Sequence, residues 1–300
     1  KQGFLVHGMS ATACGDPTEM RAIGYMLKLH SLAKTENGLY NWFSWMKVNG
    51  CYQDDWNGWH LGSKKTLTKI HDKIYGSVGA KLTVADFPDS FRNNRVFIEP
   101  MEFADSNKII KTYEDLGLTP QIISDLIENG TVDDSDHIIV NILRARQLTE
   151  AMKVPDLVNY AKDLEEQGNS VVLFVNFRDT VEALCKQLNC KAIQGGQTVE
   201  ERQAIVDEFQ NDKSTIVVAN IAAGGTGLSL HDCNGDRPRV SLICPSFNAK
   251  DYLQTLGRIH RNGAKSDAIQ KVLVTSGSIE ENVIDSIERK INNLTELHGV

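Results

Sequence analysis

Val171-Val-Leu-Phe-Val-Asn-Phe177 decides the fold: five apolar residues run without a polar alternate between them. A strand with one wet face alternates, whereas an unbroken apolar run of strand length suits a parallel strand covered on both faces. After it, Val181, Leu184, Cys185 and Leu188 recur at i, i+3, i+4 and i+7, and Asp179 with Glu182 predicts a capping box at that helix's start. The unit then repeats. Lys191–Gln194 predicts a short strand ending at Gly195-Gly196, and Thr198 with Glu201 opens a helix whose core face is Ile205, Val206 and Phe209. Thr215–Ala219, Val240–Cys244 and Lys271–Thr275 predict further strands. A last helix opens at Ser278, with Glu281 three residues on, and buries Ile279, Val283, Ile284, Ile287, Ile291 and Leu294. Alternation at this spacing predicts an α/β fold: an open, mostly parallel sheet flanked by helices, with right-handed crossovers.

Ligands of such sheets gather at the carboxyl ends of strands. Four loops fall there: Asn176-Phe177-Arg178, Gln194-Gly195-Gly196, Asn220–Gly227, and Pro245 onward. In Asn220-Ile-Ala-Ala-Gly-Gly-Thr-Gly-Leu-Ser-Leu230, Gly224, Gly225 and Gly227 let backbone amides approach an anion with no Cβ in the way. A tight strand-to-helix turn explains one or two of them. A dinucleotide loop would need Gly or Ala at 230, where Leu230 stands. Further on, Gln254-Thr-Leu-Gly-Arg-Ile-His-Arg261 carries two arginines. A helix over Asn248–Gly257, continued, puts Gln254, Arg258 and Arg261 along one edge. Paired guanidiniums suit bidentate contact with phosphate; a solvated basic helix end is the plainer alternative.

The 300 residues, 33.3 kDa, allow one large or two ordinary domains. No run of eighteen apolar residues exists, and Lys-Gln-Gly-Phe-Leu-Val-His-Gly is too short an apolar start for a signal peptide. Six cysteines show no C-x-x-C pair and no zinc spacing, so they read as reduced thiols. Net charge is −7, unevenly spread: residues 1–100 carry 12 basic and 9 acidic side chains, 101–200 carry 9 and 17, and 201–300 carry 11 and 13. That balance speaks against a passive nucleic-acid coat but leaves room for a local basic or amide-lined track.

Residues 16–75 read as mostly helical, with Pro17 in a first turn and Met20, Ile23, Met26, Leu27 and Leu29 on apolar positions. Trp42/Trp45 and Trp56/Trp59 either stack on bases or pin helices together. Lys64, Lys65, Lys69 and Lys73 form a basic face, solvated or turned to phosphate. Residues 101–168 read as acidic and helical.

The stretches Asn220–Leu230 and Gln254–Arg261 resemble motifs V and VI of superfamily 2 helicases and translocases, most closely their Swi/Snf-like, DNA-dependent ATPase branch. The resemblance implies that residues 169–300 are a second RecA-like lobe. Ser10-Ala11-Thr12, after Phe4–His7, resembles the lobe-coupling motif III, which makes residues 1–15 the end of a first lobe. Residues 16–168 are then a mostly helical insertion and linker, with Lys81–Asp89 and Arg95–Pro100 similar to the family linker and Ile142–Thr149 to the helix before the second lobe. By the same resemblance Arg258 and Arg261 are arginine fingers for ATP, Gln254 helps place the attacking water or γ-phosphate, and Gly227 lies near the nucleotide. Asn176, Phe177, Arg178, Gln194, Gly195, Asn220, Gly224 and Gly225 line the nucleic-acid track, and no metal is held by this lobe. Arg202 reads as a packing or lobe-contact residue.

The main holders of ATP and Mg2+ are expected on the first lobe. Gly58-Trp-His-Leu-Gly62-Ser-Lys64-Lys65-Thr66 has the wrong spacing for a phosphate loop, and Asp133-Asp-Ser-Asp136 follows no apolar strand. The expectation is therefore an ATP hydrolase as part of a longer chain, inactive as this fragment, cytoplasmic or nuclear, with no membrane segment. Double-stranded DNA is the expected partner. RNA is the alternative, because Ser-Ala-Thr is more typical of RNA-unwinding relatives. A non-catalytic nucleic-acid or partner-binding module of the same fold is the other.

Overall fold

The computed structural model describes residues 17–34, 38–54, 58–62, 66–80, 84–129, 135–222 and 228–298. Contacts divide the chain into two units, Lys1–Thr83 with Glu128–Thr131 and Glu288–Val300, and Val84–Ile127 with Val132–Ile287. Ser10–Thr12, Gly224, Gly225 and Gly227 lie outside the described residues.

The first unit holds α1 (Arg21–Met26), α2 (Trp42–Val48), β1 (Cys51–Gln53), β2 (Trp59–Leu61) and α3 (Leu67–Tyr75). Its core is Met20, Leu29, Trp42, Trp45, Met46, Leu67, Ile70 and Ile74. Trp42 and Trp45 are buried and stack with ring centroids 5.7 Å apart, so this pair pins the helix and is not free for bases. Asn41 caps α2 by accepting from the Ser44 amide at 3.0 Å. The helical expectation for 16–75 is corrected in its middle, where β1 and β2 form an antiparallel hairpin that places Trp59 on a strand. Asp54 closes it: its backbone amide bonds the Gly58 carbonyl at 2.9 Å, and its carboxylate takes the Gly58 amide at 2.6 Å. Such local side-chain bonds favour a turn over a continuing helix.

The second unit contains β3 (Asn94–Met101), α4 (Ser106–Asp115), α5 (Pro120–Asn129) as far as Ile127, α6 (Ser135–Met152), α7 (Val154–Glu166), β4 (Ser170–Val175), α8 (Arg178–Leu188), β5 (Lys191–Ile193), α9 (Val199–Gln210), β6 (Ile216–Asn220), β7 (Arg239–Ile243), α10 (Ala249–Leu256), β8 (Ala268–Thr275) and α11, which begins at Ile279. Six strands make one sheet in the order β3-β8-β7-β4-β6-β5, and every pairing is parallel. All six residues of β4 are buried, as its apolar run demands. The fold is thus α/β and RecA-like, an open parallel sheet flanked by helices. β3 and α4 to α7, which precede residue 169, belong to the same compact unit as the strands after it.

Two helix starts separate rule from context. Thr198 forms the full capping box with Glu201, accepting at 3.1 Å and receiving the Glu201 carboxylate on its own amide at 2.8 Å. Thr198→Ala should cost about 1 kcal/mol, read as a lower urea midpoint at unchanged slope. The box predicted at Asp179 does not form. α8 begins two residues earlier, with Phe177 as its N-cap and Arg178 as its first residue, and the Phe177 amide is held by Glu150 at 3.0 Å. Asp179 instead accepts from Gln147 at 3.1 Å and Glu182 from Arg178 at 3.1 Å.

Candidate nucleotide and nucleic-acid site

Parallel registers put the ends of several strands on one edge of the sheet. Val175 pairs with Asn220, Phe174 with Ile243, and Ile193 with Ala219, so the residues following β4, β7 and β5 emerge there together with Asn220. The Asn220 side chain donates to the Asn176 carbonyl at 2.9 Å, joining two predicted track residues directly.

Beneath them is a polar clamp. The Glu150 carboxylate is buried and accepts from the Asn176 amide at 2.9 Å, the Phe177 amide at 3.0 Å and Asn176 Nδ2 at 2.7 Å. Burial raises its pKa, against these donors, which favour the charged form. Arg146 donates to Asn176 Oδ1 at 3.1 Å, and its guanidinium carbon lies 4.4 Å from the Phe247 ring centre and 5.6 Å from that of Phe177. Burial lowers the Arg146 pKa, opposed by Glu150. The clamp fixes Asn176 on both amide atoms, because Nδ2 also donates to the Pro245 carbonyl at 3.1 Å.

Gln194 is held by its amide, which donates to Gln197 Oε1 at 2.9 Å, while its own Oε1 is buried without a hydrogen bond. Gly195 is exposed beside it. Arg178 is exposed and paired with Glu182, a surface contact worth little. Arg202 donates to the Gln197 carbonyl at 3.0 Å, in keeping with a packing role.

The arginine stretch departs from the predicted helical edge. α10 starts at its cap Asn248, whose side chain accepts from the Lys250 and Asp251 amides at 2.9 and 3.2 Å, and ends at Leu256 with Gly257 as C-cap. Gln254 is therefore helical, but Arg258 follows in a turn and Arg261 in irregular chain beyond it. They are positioned by the chain after the glycine-rich loop: the Leu230 amide donates to the Arg258 carbonyl at 2.9 Å, and Arg261 Nη2 donates to the Leu228 carbonyl at 3.3 Å. Arg258 is only 6% exposed. Burial, then the charge of Arg261, lowers its pKa. Among the described residues neither arginine makes an ion pair with a carboxylate. Arg261 Nε is buried and unbonded. Two partly desolvated guanidiniums with no carboxylate partner among the described residues have the chemistry to take an anion such as phosphate.

His231, Glu150 and Arg146 were not foreseen. Burial, with the charges of Arg261 and Arg239, lowers the His231 pKa and favours its neutral form beside the arginines. The readable signal for the clamp was Arg146, Glu150 and Lys153 at i, i+4 and i+7 beside Ile142, Ala145 and Thr149. On paper that is a solvated stripe; in the fold Glu150 and Lys153 are buried and Arg146 is half-buried. Among the described residues no group of three or more His, Cys, Asp or Glu side chains could hold a metal. Likewise none of the described helices is long and apolar enough to cross a membrane.

The chain is similar to several known proteins. Residues 152–263 match the helicase conserved C-terminal domain. The putative ATP-dependent RNA helicase L364 of Acanthamoeba polyphaga mimivirus is 34% identical over 221 residues, 73% of this chain and 40% of that protein. A putative SWI/SNF-related matrix-associated actin-dependent regulator of chromatin, subfamily A member 3-like 1, from Arabidopsis thaliana is 29% identical over 162 residues, 51% of this chain and 18% of that one. The crystal structure of the C-terminal part of the Fun30 ATPase domain aligns with a TM-score of 0.45 and 18% identity, covering 65% of this chain and 88% of that one. The chain thus spans well under half the length of these curated relatives.

Proposed function

We propose, from the premise that this chain carries the C-terminal lobe of a superfamily 2, Swi/Snf-like helicase, that the lobe serves an ATP-driven DNA translocase by presenting Arg258 and Arg261 to a triphosphate held on another lobe. The observation that carries the proposal is the pairing of a buried Arg258 with a half-buried Arg261, neither ion-paired to a carboxylate among the described residues. Phosphoryl transfer spreads negative charge over the γ-phosphoryl oxygens, and a guanidinium placed there stabilises it. Gln254, one turn earlier on α10, is assigned to the attacking water or the γ-phosphate, and Gly227 to the nucleotide's surroundings. Mg2+ belongs with the phosphates on the other lobe.

Asn176, Phe177, Arg178, Gln194, Gly195, Asn220, Gly224 and Gly225 are assigned to the nucleic-acid backbone. Contacts of that kind carry little sequence information, so no sequence preference is expected. Ser10, Ala11 and Thr12 are assigned to coupling between lobes. Arginines that reach their ligand only on closure tie hydrolysis to an opening and closing cycle.

A second reading has its own support: L364 is named an RNA helicase. Triplex displacement separates the two. The protein that joins this lobe to one with a phosphate loop should displace a third strand from duplex DNA when ATP is supplied, and should leave a tailed RNA duplex intact. Release of the RNA strand without triplex displacement would establish the RNA reading instead. Binding without either activity would make the chain a non-catalytic module.

A further inference from the structure

The first unit contains a pocket that the motor reading does not use. It encloses about 270 Å3 and lies wholly among residues of that unit. Leu29, Trp45 and Ile70 give it apolar walls from the buried core, and Tyr40, 52% exposed, stands at its rim. The Tyr40 backbone is fixed by Ser31, whose amide donates to the Tyr40 carbonyl at 2.8 Å and whose hydroxyl does so at 3.2 Å. Lys69 and Lys73, one turn apart on α3, complete the lining, which includes no carboxylate among the described residues. Among the described residues neither lysine has a salt-bridge partner.

Like charges at i, i+4 repel, and no carboxylate among the described lining residues offsets them, so the pocket favours an anion. The surrounding sequence has the same bias. Residues 1–83 carry ten basic and six acidic side chains, whereas residues 84–300 carry 22 and 33. An aromatic and apolar recess beside two ammonium groups matches a planar ring joined to a phosphate. The volume lies just below the range of about 300–1,000 Å3 usual for drug-sized ligands, which suits one nucleotide better than an extended molecule. A paired base is stacked inside its duplex and cannot enter such a recess without being extruded.

We propose that this pocket binds one nucleotide of an unpaired nucleic-acid strand, its base against Tyr40 and the Trp45 wall and its phosphate at Lys69 and Lys73. The site is separate from the arginine pair and stands whether or not the lobe drives translocation.

The test is fluorescence anisotropy of labelled oligothymidylate with the 300-residue chain across a salt series. Lys69→Gln/Lys73→Gln should weaken binding about tenfold or more and reduce the salt slope by about 1.4, the amount expected for two lost phosphate contacts on a single strand. Tyr40→Ala should weaken it by about 5- to 150-fold with the slope unchanged. All three side chains are exposed, and unchanged thermal melting confirms that the variants fold. Wild-type affinity and slope in both variants overturn the proposal. So does equal competition by polyglutamate, which would mean that charge alone is read, or an equal loss for blunt duplex. Thymidine monophosphate saturating the pocket as tightly as the oligomer overturns the strand in favour of a free nucleotide. Arg178→Ala/Asn220→Ala reports the lobe's own track in the same assay, so either site can fail while the other stands.

Discussion

Arg261→Ala, in the protein that joins this lobe to one holding ATP, is expected to lower nucleic-acid-stimulated hydrolysis by about 10³–10⁵ while ATP affinity stays within a few-fold. The side chain has little structural work to lose: its one hydrogen bond to a described residue is the long contact to the Leu228 carbonyl at 3.3 Å. Its charge also acts against Arg258, whose pKa is lowered first by burial and next by Arg261. Removing it should therefore leave the melting temperature unchanged or slightly raised as activity collapses, the pattern of a residue kept for function at some cost to stability. Arg261→Lys should recover little, because a single ammonium cannot reproduce the guanidinium fork. Steady-state turnover beside a nucleotide-binding titration decides it. Unchanged turnover in the alanine variant would remove the arginine-finger assignment.

The largest stability effect is expected at Lys153. This residue sits between α6 and α7, is 1% exposed, and donates to Glu280, 4% exposed, at 2.5 Å. Glu280 also accepts from the Thr275 amide at 2.8 Å and the Tyr113 hydroxyl at 3.3 Å. The pair thus ties the α6–α7 junction to the end of β8 and the first turn of α11, where a carboxylate also suits the helix dipole. Lys153→Met leaves that carboxylate buried without its cation, a loss of about 3–5 kcal/mol. Adding Glu280→Gln should return most of it, since the amide oxygen can still accept from Thr275 and no buried charge remains. Urea unfolding of both variants at equal slope tests the claim, and two equally destabilised proteins would refute it.

The strands were readable because burial on both faces leaves an unbroken apolar run, and β4 shows that run at full length. The capping box at Thr198 was readable because it needs only residues within one turn. The similar pattern at Asp179 failed because Glu150, 27 residues before Phe177, claims the amide that sets the helix start. The hairpin at Cys51–Leu61 was missed for a related reason: its strands are three residues long, too short for a period to declare itself. At the site, the arginines and the asparagines that follow β4 and end β6 were legible as types at strand ends. What holds them was not. Arg146 and Glu150 look like any charged helix stripe until tertiary packing buries Glu150 and half-buries Arg146, and a helical projection placed Arg258 and Arg261 on a helix that ends at Leu256.

Strand β3 pairs with β8 through their whole lengths, from Asn94 beside Ala268 to Met101 beside Thr275. The earliest strand of the sheet thus has as its neighbour the last one made, 174 residues later. At ribosomal rates of about 5–20 residues per second, that partner emerges roughly 9–35 s after β3. For that interval Val96, Phe97 and Ile98, exposed even in the finished sheet, travel as an unmatched apolar ribbon. A nascent chain built this way depends on being shielded during synthesis, and slowing the ribosome between residues 101 and 268 lengthens the time in which it can misassemble.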